Sequence, residues 1–197
     1  MFRDLRAACC MLVGLTFLTG VVYPLVVTGV AQSVFPHQAN GSLIEVDGRI
    51  VGSELLGQAF AGERYFYGRP SATAPVPYNG LGGAGSNLGP TNPALAAAVE
   101  ERVAATRRET GDPTRLVPVD LVTTSASGLD PHISPAAARL QIGRVAKARG
   151  LSEAALLEVV ERHTERPTFG LLGAPRINVL RLNLALDALS RGSPRRS

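Results

Sequence analysis

The stretch from Ala7 through Pro36 carries no charged side chain, and it restricts the rest of this chain more than any other feature. An α-helix rises about 1.5 Å per residue, so roughly 20 apolar residues cross the hydrocarbon core of a bilayer. The core of the run, Leu12 through Ala31, meets that requirement, with Tyr23 its one ionisable side chain. It reads as a transmembrane helix over 7–35, preceded by a short N-terminus, 1–6. A cleaved signal competes, because Gly29-Val30-Ala31 is a passable cleavage site, but such signals carry apolar runs of only about 7–15 residues. A buried core helix apolar on every face is rarer still in a domain of this size. Pro24 and the glycines Gly14, Gly20 and Gly29 suit membrane helices, and Thr16, Thr19 and Thr28 suit a face packed on other helices.

Charge sets the expected orientation. Arg3 and Arg6 precede the span, whereas no Lys or Arg occurs between it and Asn40. The positive-inside rule keeps the N-terminus cytoplasmic and sends the long remainder, 36–197, outside. That remainder is large enough for one domain with its own core. The formal charge of +4 comes almost wholly from arginines, with Lys147 the single lysine, and they are interleaved with acids. This pattern argues against a nucleic-acid partner; only the tail at 190–197 gathers a small basic cluster. Cys9 and Cys10 are the only cysteines, so the outer domain has neither thiol nor disulfide.

After the span, Ser42 through Val51 places two β-branched runs around Asp47-Gly48, a strong hairpin signal. Arg64 through Pro70 sets three aromatics beside two arginines, which suits stacking, a docking edge or simple cover for the core. Residues 70–93 form a Pro-, Gly- and Asn-rich loop, expected to be ordered and partner-facing because structureless loops this long are uncommon. Asn92-Pro93 opens a helix that ends before Gly111, with Leu95, Val99, Val103 and Thr106 on one face. Leu116 through Val122 is a short β-rich run confined by Pro118 to an edge or bulge. Ser134 caps a helix that Gly150 stops, Ser152 opens another, and Asn178 caps the last, whose face is Val179, Leu182, Leu186 and Leu189. The expected class is α+β, one N-terminal transmembrane helix followed by a single mixed α/β extracytoplasmic domain.

Motifs for catalysis are thin. Gly80 through Gly85 fits G-x-G-x-x-G, yet no strand precedes it and prolines follow before any helix, so a dinucleotide site is not expected. Ser125, Ser127, Asp130 and His132 crowd together as turn and cap residues do, without the strained elbow of a nucleophile. His37, His132 and His163 lack metal-ligand spacing.

Three stretches, Tyr65 through Ala72 with Tyr78-Asn79, Gly85 through Pro93, and Val119 through Ala138, carry a more specific signal together than apart. With the N-terminal span and the closing Pro175 through Asp187, they resemble the C subunit of the bacterial Kdp potassium-transporting ATPase. The resemblance implies an inner-membrane complex with a channel-like A subunit, a P-type B subunit that hydrolyses ATP and a small F subunit. It implies an accessory subunit that stabilises the assembly and acts as a catalytic chaperone, raising the B subunit's affinity for ATP. The glutamine proposed to touch nucleotide in such subunits would be Gln141. Against this, the orientation argument sends Gln141 outside, where it reads as an ordinary exposed helix position, and favours an extracytoplasmic cap near the potassium entrance. Arg69, Asn79, Asn87 and Asn92 are the expected partner-docking residues; neither a catalytic residue nor a metal ligand is expected.

Overall fold

The computed structural model describes residues 1–192, so the basic tail read at 190–197 lies, beyond Gly192, outside the described residues. The chain divides into two compact units, Met1–Ser53 and Glu54–Ser197.

In the first unit, α1 (Phe2–Phe17), a π-helical turn (Leu18–Val22) and α2 (Tyr23–Val34) continue into one another. The 33-residue run Phe2–Val34 is long and apolar enough to cross a membrane. At 1.5 Å per residue it extends about 50 Å, longer than a hydrocarbon core of about 30 Å, so residues 2–6 prolong the helix. The widened π-turn falls where Pro24 withholds an N–H and its ring crowds the carbonyl of Gly20. Thr19 donates to the Leu15 carbonyl at 2.8 Å and Ser33 to that of Gly29 at 2.7 Å, so these hydroxyls are satisfied within the helix. A short α3 (Pro36–Ala39) leads to the hairpin of β1 (Leu43–Val46) and β2 (Arg49–Ser53). Its turn residues Asp47 and Gly48 take φ of 53° and 74°, the pair of positive values that a tight I′-type hairpin needs.

The second unit is the α+β domain. Helix α4 (Pro93–Thr110) starts on Asn92, whose side chain accepts the Ala94 N–H, and stops at Gly111, left-handed at φ 69°. Helix α5 (Pro135–Arg149) is capped by Ser134 and closed by Gly150, and α6 (Glu153–Arg162) is capped by Ser152. A small antiparallel sheet orders β3 (His132–Ile133), β5 (Arg176–Asn178) and β4 (Thr164–Glu165), with β5 central. The chain then enters α7 (Val179–Gly192), where the Asn178 side chain accepts the Arg181 N–H at 3.1 Å. Ile133, Ala138, Val145, Leu156, Ile177 and Leu182 are buried against one another between helices and sheet. Each of the isoleucine, valine and leucine side chains contributes about 1.5–3 kcal/mol when fully buried.

The β-rich run at Leu116–Val122 is not a strand. Val119–Leu121 instead winds into a 3₁₀ turn after Pro118. The turn carries Asp120 to the start of α5, where its carboxylate accepts the Ser134 N–H at 2.6 Å and hydroxyl at 3.1 Å. Proline has no ladder donor, and the carboxylate satisfies a helix N-terminus instead.

Candidate functional site

Most of the polar backbone of residues 63–67 is held by side chains from α5 and α7. Phe66, fully buried, donates its N–H to Asn183 Oδ1 at 2.9 Å and accepts from Asn183 Nδ2 at 3.0 Å. Tyr67 repeats the arrangement with Gln141, its N–H reaching Oε1 at 2.8 Å and its carbonyl accepting from Nε2 at 3.2 Å. Arg144 supplies the Glu63 and Tyr65 carbonyls at 2.9 and 3.0 Å, and Arg149 supplies the Arg64 carbonyl at 2.6 Å. Two amides and two guanidiniums thus take the place of a neighbouring strand. Buried backbone groups need partners, and an amide, with both a donor and an acceptor, is suited to pair one residue's N–H and C=O.

The same arginines stack on the aromatics. Arg144 lies 3.9 Å from the Tyr67 ring centre and Arg149 5.1 Å from that of Tyr65. The stacking expected at Arg64–Pro70 is therefore present, but its cations come from α5 and not from Arg64 or Arg69. The Arg149 side chain is wholly buried, bonded also to Asp187 at 2.8 Å and Ser190 at 3.1 Å. Burying a guanidinium is costly unless carboxylate and carbonyl oxygens replace its water, and here they do.

The loop 70–93 is ordered by a knot around Tyr78. Its ring lies where a Cβ on Gly57 would stand 2.3 Å from Cε1 and one on Gly68 would stand 2.5 Å from the hydroxyl, so these glycines make room for it. The Tyr78 hydroxyl donates to the Arg69 carbonyl. Burial, and then the Asp130 charge, push its pKa up to about 12 against the opposing pull of Arg69. Ser71 donates to the Gly128 carbonyl at 2.7 Å, Ala84 to that of Ser127 at 2.8 Å, and a Cβ on Gly85 would meet the Ala126 carbonyl at 2.7 Å. Within the G-x-G-x-x-G run, Gly83 through Gly85 thus lie against the backbone of 126–128, where glycine permits the close approach.

Arg69 bridges this knot to the sheet. It donates to Asp130 Oδ2 at 3.1 Å and to the Thr124 carbonyl at 3.3 Å, while its Nε is buried without a partner. Asp130 also accepts the His132 N–H at 3.0 Å and lies 3.2 Å from its Nδ1. Burial alone would raise the Asp130 pKa, but the hydrogen bonds from His132 and Arg69 outweigh it and hold the carboxyl below its ordinary value. Ser125 accepts the Gly128 N–H at 2.9 Å and lies 3.5 Å from the Ser127 hydroxyl, consistent with the turn-and-cap reading of this cluster.

The expected site residues fall in different places. Gln141 is not an exposed helix position; it is 7% exposed and committed to Tyr67, Ala137 and Arg144. Asn79 accepts the Leu81 N–H at 3.1 Å and donates to the Ala74 carbonyl at 2.9 Å, shaping its own turn. Asn92 is the α4 cap, and Asn87 is exposed with φ 53°. Sequence reasoning passed over Arg144, Arg149 and Asn183. For Arg149 and Asn183 a signal was readable: Gln141 and Arg149 continue the spacing of Ala137 and Val145 on the apolar face of α5, and Asn183 sits beside Leu182 on that of α7. Gln141 also lines a cleft of about 360 Å³ between α4, α5 and α6, whose charged groups are Arg115, Arg139, Arg144 and Lys147 with the acids Glu109, Asp112 and Glu153.

Residues 5–188 match the family described as KdpC: K+-transporting ATPase, c chain. The chain belongs to the KdpC family. It is 63% identical over 187 residues to the potassium-transporting ATPase KdpC subunit of Sorangium cellulosum, covering 95% of this chain and 98% of that protein. It is 58% identical over 189 residues to the subunit of the same name from Methylococcus capsulatus, covering 96% and 100%. With the subunit from Burkholderia vietnamiensis it shares 61% identity over 178 residues, 90% and 92% of the two chains. The Kdp resemblance carried by Tyr65–Ala72, Gly85–Pro93 and Val119–Ala138 is thereby established at family level.

Proposed function

We propose that this chain is an accessory subunit of a potassium-transporting ATPase that stabilises the assembly and makes no nucleotide contact through Gln141. Helix Phe2–Val34 anchors it, with the N-terminus cytoplasmic and the α+β domain outside. It assembles with the channel-like A, P-type B and small F subunits. The carrying observation is the engagement of Gln141: every donor and acceptor of its amide that could meet a ligand is already turned to Tyr67, Ala137 or Arg144. A nucleotide contact there would strip the Tyr67 backbone of its partners, at a cost of about 1–3 kcal/mol per buried group.

Docking falls to the face from Arg64 through Pro93, which the Tyr78 knot holds in one shape without regular secondary structure. Arg69, Asn79 and Asn92 act on that face by fixing its form, and Asn87 by direct contact. Replacing Asn87 with alanine, or Arg69 with methionine, lowers the yield of intact complex extracted in detergent and weakens potassium uptake. Full recovery of both with either variant would remove this face from the interface.

A second reading is the catalytic-chaperone role, raising the B subunit's affinity for ATP. It draws support from the cleft beside Gln141, whose guanidinium and ammonium groups are of the kind that bind phosphate. Sidedness separates the readings. Because Gln141 is buried, exposed Lys147 is the reporter: Lys147→Cys, in a chain with Cys9 and Cys10 replaced by serine, is treated in intact cells with an impermeant maleimide. Labelling places the cleft outside and excludes cytoplasmic ATP; protection that disappears in inside-out vesicles supports the nucleotide role.

A further inference from the structure

The loop between β4 and β5 exposes three large apolar side chains at once: Phe169 at 94%, Leu171 at 83% and Leu172 at 61%. Scattered exposed apolar residues are ordinary, but a projecting aromatic and two leucines within four positions are not. The turn is closely built. Thr168 and Leu172 exchange N–H···O bonds, each 2.9 Å, and the N–H groups of Gly170 and Leu171 donate to Pro167 and Thr168 at 2.9 and 3.2 Å. Phe169 has φ 56°, a left-handed backbone that a bulky residue adopts only at a cost. Four backbone donors at the tip are satisfied internally, which lowers the penalty for moving it into an apolar phase.

Charge and chain path indicate which phase. Residues 167–175 carry no charge; Arg166 precedes them, and Arg176, which follows, is paired with Glu165 at 2.9 Å. Apolar side chains with a cation at their root match the layering of a lipid interface, acyl chains below and phosphates above. The domain receives its tether at Glu54, whose carbonyl accepts from Asn178 Nδ2 at 2.8 Å and whose carboxylate pairs with Arg181. Asn178 ends β5, the strand that begins where the apolar loop finishes. Nineteen residues lie between Val34, where the membrane helix ends, and Glu54, and a tether of that length spans at most about 65 Å when fully extended.

We propose that Pro167–Gly173 is a second membrane contact, in which Phe169, Leu171 and Leu172 enter the interface of the bilayer that the N-terminal helix crosses while Arg166 meets lipid phosphates. The contact gives the domain a fixed height and tilt over the membrane and needs no partner subunit. It rests on Phe2–Val34 being a span, and the test keeps the two apart.

The chain has no tryptophan, so F169W and, separately, L25W are single fluorescent reporters. The full chain carrying each is reconstituted in phosphatidylethanolamine–phosphatidylglycerol vesicles with and without dibrominated acyl chains. Both reporters should emit to the blue of aqueous tryptophan and be quenched by the brominated lipid. Adding L171D and L172D to F169W should abolish its quenching, and replacing phosphatidylglycerol with phosphatidylcholine should weaken it. Quenching of L25W with none of F169W overturns the proposal and leaves the span intact. A blue shift of F169W that appears only when the ATPase subunits are added, without quenching, also overturns it, in favour of a protein pocket. If L25W escapes quenching, the span reading fails and the proposal falls with it.

Discussion

Gln141→Leu removes both sides of an amide pair at nearly constant volume, so it separates an architectural residue from a ligand contact. Leucine keeps the packing against Ala137 and Val145 but leaves the Tyr67 N–H and carbonyl without their 2.8 and 3.2 Å partners and deprives Arg144 of a 2.8 Å acceptor. Each buried group left unmet costs about 1–3 kcal/mol. Tyr67 is only half-buried and the Arg144 guanidinium partly reaches solvent, so the two backbone groups together are expected to cost about 2–4 kcal/mol. For a chain of this size 1 kcal/mol shifts Tm by about 2–4 °C, which predicts a fall of roughly 5–15 °C. Gln141→Glu is the informative companion. It keeps an acceptor for the Tyr67 N–H and Arg144 but cannot donate to the Tyr67 carbonyl, so about half the loss is expected. The assay is thermal unfolding of the purified full chain in detergent, followed by circular dichroism. A Gln141→Leu chain that melts with the wild type, while the ATP dependence of the assembled ATPase moves, would refute the clamp and restore the glutamine to nucleotide contact.

Asn183→Leu should be the more damaging partner substitution, because both Phe66 and Asn183 are fully buried; a loss of about 3–5 kcal/mol is expected in the same melt. Gly57→Ala should loosen the loop 70–93 by pressing a methyl group into the Tyr78 ring and the Asp130 carbonyl, read as new proteolytic cleavage between Pro70 and Pro93. Tyr78 sets an alkaline limit. Its folded pKa of about 12 lies above the unfolded value of 10, so its contribution is complete below pH 10 and is lost as pH rises toward 12. Two pKa units correspond to about 2.7 kcal/mol, reduced to about 1–2 by solvent at the ring edge, and Tyr78→Phe should flatten that part of the pH profile. Asp130 acts in the opposite sense: its lowered pKa stabilises the fold above the unfolded carboxylate value and the contribution disappears as pH falls below it, a loss that Asp130→Asn should abolish.

The legible parts of this chain were those that a single helix or turn decides locally. Asn92, Ser134 and Ser152 cap helices, and Gly111 and Gly150 end them, because capping needs only the next few backbone groups. Asp47-Gly48 fixed the hairpin for the same reason. Leu116–Val122 misled because β-branched composition reports a preference for half-buried pleated surface, whereas Pro118 and the demand of the α5 N-terminus for a carboxylate settled the segment as a 3₁₀ turn. The clamp was less visible because its partners are 74 and 117 residues apart, and no local pattern pairs Tyr67 with Gln141 or Phe66 with Asn183.

What sequence did offer was an anomaly, amides and an arginine on faces otherwise made of alanine, valine and leucine. A polar group on an apolar helix face must find a partner or destabilise the core, and a residue that pairs its amide with one peptide has one role available to it at a time. This is why the position of Gln141 bears on function. A glutamine reaching into a cleft could exchange water for phosphate at little cost, but this one would first have to release the segment that carries Tyr65, Phe66 and Tyr67. Any ligand response transmitted through Gln141 would therefore appear as movement of residues 63–67 and of the adjoining Arg69–Tyr78 knot, and hydrogen exchange at the Phe66 and Tyr67 amides is where it would be read.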